Sequence, residues 1–260
     1  MLVACPSGIR GYSVDSPAAL VPLMAKPVKQ GSVPKESRKG PTTSSREDES
    51  ELLIAVARQI LLNKNGSGFT LHEVLEESGL GTRAFYRHFA SKDEVALAVF
   101  AEEAEREAKR LNNRMRDASN PIEGVMAWID ARLELGFDQR LAASLRPLTE
   151  EAVRASRQFP RQLEPAFNRT LEPLIEQLTR GMTTGVFKGI EPVADAKAIH
   201  HVVSGVVEQR WMGFPLPRRE TRGHVMRFCL CALDVDPAQV AALLVAPSPT
   251  GPEPSVQQPV

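Results

Sequence analysis

Between residues 47 and 236 apolar side chains return every three or four positions, and no stretch of any length alternates as a strand would. Leu53, Val56, Ala57 and Ile60 predict a first helix that ends near Asn65-Gly66. Thr70 and Glu73 form a capping-box signal for a second helix, whose inner side is Val74 and Leu75. Gly79-Leu80-Gly81 breaks that helix, and Gly81 can cap a third. A second capping box, Ser91 with Glu94, opens a long fourth helix with the stripe Leu97, Ala101, Ala104, Ala108, Leu111 and Met115. Asn120-Pro121 then pairs an N-cap with proline at the first helical position. Helical patterns continue over 121–136, 139–157, 160–185, 192–213 and 218–232. The predicted fold class is all-α, with no internal repeat.

The periodicity fails at both ends. Six of the 20 prolines fall in residues 1–46 and five in 247–260, so both ends are expected to be tails unable to bury a core. From Arg10 to Arg46 the first tail holds seven basic residues against Asp15 and Glu36. It could reach phosphates as a basic arm or serve as a solvated linker, and Met24 is an alternative start. The expected organisation is a basic tail at 1–46, a small helical unit at 47–106, a larger helical domain at 107–236 and a proline-rich tail at 237–260.

Composition narrows the function mainly by what it lacks. Acidic and basic residues balance at 32 each, so only the local distribution of charge can point to nucleic acid. Three cysteines make no disulfide framework, and Cys229 and Cys231 are expected as buried structural thiols on different helix faces. No apolar run approaches the ~20 residues that span a bilayer, and no secretory signal is evident, so a cytoplasmic protein is expected. Gly66-Ser67-Gly68 reads as a connector between helices rather than a phosphate cradle. His200 and His201 are adjacent, and therefore cannot both turn to one face as metal ligands. With no carboxylate pair or nucleophile motif either, neither an enzyme nor a cofactor is expected.

Residues 70–89 carry the chemistry. On a helical wheel Phe85 and Phe89 fall together, facing a small core made with the first two helices. Arg83 and Arg87 fall opposite, with Ala84 between them and Tyr86 at the flank. Arginine on such a face can donate two hydrogen bonds to guanine, and alanine permits close approach to a thymine methyl. Thr70 at a helix N-terminus, Tyr86, His88 and Lys92 are placed to contact phosphates, which fix register but carry little sequence information.

This segment strongly resembles the N-terminal domain of the TetR family of bacterial transcriptional regulators. The resemblance covers about residues 48–100. It rests on Ala57, Gly66, Phe69-Thr70, Val74, Ser78-Gly79-Leu80, Phe85-Tyr86-Arg87-His88-Phe89 and Ser91-Lys92-Asp93. Ser78 stands where the family usually has alanine, and Gly81 where it usually has a capping serine. The resemblance implies that Thr82, Arg83, Ala84 and Arg87 lie on the base-reading helix, with Thr70, Tyr86, His88 and Lys92 at phosphate positions.

It also implies an effector-binding and dimerisation domain after the fourth helix. Large apolar residues are scattered there, and Trp128, Phe137, Phe167 and Trp211 are candidates for a ligand pocket. Ile199, Val202, Val203, Val206 and Val207, with small Ser204 and Gly205, mark one candidate dimer helix. Val225, Phe228, Cys229 and Ala232 mark another. The expected protein is a homodimeric repressor on a palindromic duplex operator, released by a small apolar molecule. The alternative is a regulator, or an activator, that answers to a protein partner.

Overall fold

The computed structural model describes residues 43–64 and 67–245. The rest of both expected tails, and the Asn65-Gly66 helix end, lie outside the described residues. Ten helices and no strand occur among the described residues: α1 (Thr43–Asn63), α2 (Leu71–Ser78), α3 (Thr82–His88), α4 (Lys92–Met115), α5 (Pro121–Phe137), α6 (Gln139–Ser156), α7 (Pro160–Thr183), α8 (Pro192–Trp211), α9 (Arg218–Ala232) and α10 (Pro237–Val245). The all-α expectation holds.

The capping signals act where the sequence placed them. Thr70 Oγ1 accepts from the Glu73 amide, and the Glu73 carboxylate accepts from the Thr70 amide at 2.8 Å, so two otherwise orphaned donors are satisfied. At α4 the box slips by one residue. Ser91 Oγ accepts from the Glu94 amide, but Glu94 reaches back to the amide of Ala90. Asn120 caps α5 in front of Pro121. Gly79 closes α2 in the left-handed region at φ 68, a conformation that glycine adopts without steric cost.

Two hydrophobic cores result, and α4 serves both. The first gathers Leu53, Ala57, Ile60 and Leu61 of α1, Val74 of α2, Phe85 of α3, Phe89, and Val95, Val99 and Phe100 of α4. The second gathers Leu111 and Met115 of α4 with Trp128, Ile129, Leu171, Leu174, Ile199, Val203, Met226 and Leu230. This double duty moves the buried stripe of α4. Val95, Val99 and Phe100 are buried near its start, whereas Ala101 is exposed and Leu97 half-buried. Leu148 of α6 and Leu163 of α7 complete the first core, so the later helices pack directly on the unit that was expected to end at residue 106.

Three further expectations shift. Residues 237–245, assigned to a tail, form α10, whose Val240 is buried. Asp236 accepts from the amides of Ala238 and Gln239 ahead of Pro237, the same cap-and-proline arrangement as at α5. Cys229 is buried but Cys231 is exposed. Ile199, Val203, Val207, Val225 and Cys229, expected at a dimer face, lie buried within the chain itself.

Candidate nucleic-acid interface

The third helix is seven residues long and anchored by a single ring. Phe85 is wholly buried, with Phe89 beside it at 6.0 Å between ring centroids. Burying that side leaves the other outside. Thr82, Arg83, Tyr86 and Arg87 are exposed and Ala84 is half-buried. Tyr86 is 57% exposed and meets the edge of Phe85 at 5.4 Å, which sets the direction of its hydroxyl end.

The flanks carry the remaining expected residues. Thr70 is exposed at the start of α2, but its hydroxyl also donates to Glu73 at 2.9 Å. Its donors are thus committed within the cap, and the amides of Leu71 and His72 are the first-turn groups without a carbonyl one turn back. Lys64 reaches the same carboxylate at 2.5 Å. Lys64 and the two Thr70 contacts bring Glu73 down to about 2. Lys92 is exposed in the first turn of α4.

One residue that matters here was not expected. Glu49, in the second turn of α1, accepts from the Arg87 guanidinium and from His88 Nε2 at 2.8 Å. A carboxylate only accepts, so His88 carries its proton on Nε2. The His88 and Arg87 contacts hold Glu49 below the usual carboxylate range. A side chain 38 residues away in sequence therefore fixes the pose of Arg87. No local signal announces such a pairing. Glu49 reads in sequence as one of several acids on the solvated side of α1.

The four candidate pocket residues separate into two groups. Trp128 is fully buried and lies near His200, and Phe167 meets the edge of His200 at 4.9 Å. At the other end of α5 and α8, Trp211 Nε1 donates to the carbonyl of Leu135 at 2.9 Å, and the Arg210 guanidinium sits over Phe137. Of the adjacent histidines, His200 points inward and His201 is exposed. Among the described residues no three His, Cys, Asp or Glu side chains could hold a metal ion, and no helix is long and apolar enough to cross a membrane.

A short capped helix, a glycine turn and a second helix that presents arginines define a helix-turn-helix DNA-binding protein. Residues 53–99 match the family model of the bacterial regulatory proteins, tetR family, so this part of the chain is similar to the DNA-binding unit of those regulators. None of the curated proteins matches it in sequence. Among solved structures it is similar to RolR in complex with resorcinol, with a TM-score of 0.58 at 16% identity over 80% of this chain and 99% of that one. A Mesorhizobium loti protein described as a TetR-family transcriptional regulator gives a TM-score of 0.56 at 14% identity, over 76% and 98% of the two chains. FadR of Bacillus subtilis in complex with stearoyl-CoA gives 0.54 at 15% identity, over 69% and 96%. At these identities the likeness is one of fold.

Proposed function

We propose that the chain is a homodimeric repressor that leaves a palindromic operator when a small, mostly apolar molecule enters the helices behind the DNA-binding unit. The observation that carries the DNA half is the outward face of α3, where Arg83 and Arg87 stand exposed on the side away from buried Phe85. Thr82, Arg83, Ala84 and Arg87 read bases from that face, while Tyr86, His88, Lys92 and the Thr70 turn hold the phosphates. Glu49 acts as a positioning residue, holding Arg87 and His88 until DNA competes for them.

Dimerisation follows from the geometry of the readout. A seven-residue helix covers few base pairs, and a two-fold pair of such helices reads two half-sites one helical turn apart. Exposed Phe228, on α9, supports a partner surface outside the chain's own core. The ligand half draws support from two structural neighbours, RolR with resorcinol and FadR with stearoyl-CoA. A ligand releases DNA only if it binds the two dimer geometries with different affinity.

Footprinting on the DNA upstream of the protein's own gene tests this reading. The expected result is protection of an inverted repeat with half-sites about 10 base pairs apart or a multiple of that. Protection of an unpaired half-site, or no preference for that DNA, would remove the dimeric repressor.

A further inference from the structure

The charge of an arginine contributes to its own fold through a carboxylate beside it or, in the last turn of a helix, through the backbone dipole. The turn that joins α6 to α7 departs from that pattern. Residues 152–163 hold three basic side chains, Arg154, Arg157 and Arg161, and no acid. All three are exposed. Arg154 sits 2.8 Å from the Glu151 carboxylate, but Arg157 and Arg161 pair with no carboxylate among the described residues. Arg161 stands in the first turn of α7, where a positive charge opposes the helix dipole and no acid offsets it. Its charge does nothing for the fold.

This turn lies against the helix-turn-helix unit. Leu148 of α6 and Leu163 of α7 are buried in that unit's core, and Ala152 and Ala155 pack on it. They hold α6 to the loop that leads into α2, where a Cβ on Gly68 would lie 4.0 Å from Glu151 Oε1. Burial raises the Glu151 carboxyl above its usual range, and the charges of Arg154 and Lys92 act against that rise. Lys92 is therefore near enough for its field to reach α6. Gly68 stands just before Phe69-Thr70, so the turn borders both flanks to which phosphates are assigned, the start of α2 and the start of α4. Arg154 and Arg157 follow Glu151 at helical spacing, along one side of the end of α6.

We infer that the α6–α7 turn is a further DNA contact, in which Arg157 and Arg161 hold phosphates beyond those assigned to Thr70, Tyr86, His88 and Lys92. The inference rests on the DNA-binding reading above and adds to it a contact from outside the helix-turn-helix. A guanidinium suits a phosphate because it donates two parallel hydrogen bonds, and each phosphate neutralised releases condensed counterions. Such a contact is blind to sequence. It strengthens binding to the operator and to other DNA alike.

The test is the salt dependence of binding by the full-length chain, on the duplex upstream of its own gene and on a scrambled duplex of equal length. In Arg157→Ala/Arg161→Ala the affinity for both should fall about tenfold or more, and the slope of log affinity against log salt should shrink by about two. The melting temperature should stay where it is, since both side chains are exposed. Arg157→Lys/Arg161→Lys should keep the slope, because charge rather than shape sets it. Ethylating single phosphates before binding locates the contact. The positions that stop interfering in the alanine variant should differ from those that stop interfering in Lys92→Ala. An unchanged slope, a loss confined to the operator, or release of the same phosphates by both variants would overturn the inference and leave the helix-turn-helix reading standing. An unsubstituted chain that binds neither duplex would remove the DNA-binding reading, and this contact with it.

Discussion

The DNA-binding unit and the helices behind it handle polar groups in opposite ways. In residues 46–94 the core is apolar throughout, and arginine, tyrosine and lysine project outward from short, well-capped helices. Behind it, polar groups are taken inside. Glu107 is buried and accepts from Arg110 and Arg132, and the Asp130 carboxylate takes a two-pronged ion pair from Arg222 of α9 at 2.6 and 2.8 Å. Trp128, Gln177 and His200 keep buried polar atoms unpaired. A surface that meets a highly charged polymer can be built from solvated groups on a dry core. The helices behind it keep bonding capacity inside, where leaving it unused costs stability.

The sharpest way to break this contrast is to damage each core in its own currency. Phe85→Ala should cost about 3–5 kcal/mol, because a wholly buried ring is lost from a small apolar core, and DNA binding should fail together with folding in a melting experiment. Glu107→Ala should cost a similar 3–5 kcal/mol by leaving Arg110 and Arg132 without their carboxylate. If Glu107→Ala melts within about 0.5 kcal/mol of the unsubstituted chain, as surface substitutions do, the ionic cluster is not a structural element of the second core.

Smaller effects sharpen the difference. Thr70→Ala should cost about 1 kcal/mol through the lost cap of α2, read from chemical denaturation. Acid should erase the same cap. Glu73 drops from 4.5 to about 2 on folding, so its contribution is complete above pH 4.5 and disappears as the pH falls from 4.5 through 2. Glu73→Gln should therefore flatten that limb of the stability profile, and an unchanged limb would assign acid sensitivity elsewhere. The smallest change expected is that of Glu49→Gln. Stability should hardly move, since the pair is partly solvated, while affinity for non-operator DNA rises a few-fold and preference for the operator falls.

Much of the molecule can be read from its sequence, in proportion to how local the controlling interactions are. The caps at Thr70, Ser91 and Asn120, the turn at Gly79 and the inward pair Phe85 and Phe89 each depend on neighbours within four residues, and they stand in the structure as expected. The helix after Asp236-Pro237 carries the same kind of signal and was hidden by the prolines that follow it. Other features depend on distant packing. The buried stripe of α4 moves because the helix faces two cores in succession. Val203 and Cys229 turn inward rather than toward a partner because α5 and α7 are there to cover the second core. Glu49 finds Arg87 across 38 residues, and Trp128 and Phe167 meet at His200 while Phe137 and Trp211 go elsewhere. No periodicity within a helix could specify those pairings.

The central claim is that the exposed face of α3 reads base sequence while its flanks hold the backbone. Binding of Arg83→Ala and Lys92→Ala to the operator and to a scrambled duplex, each measured across a range of salt concentrations, tests it most directly. Arg83→Ala should lose about 1–3 kcal/mol on the operator and little on the scrambled duplex. Lys92→Ala should weaken both alike and lower the salt slope by about one. If Arg83→Ala weakens the two duplexes equally, or leaves both unchanged, the base-reading face lies somewhere other than α3.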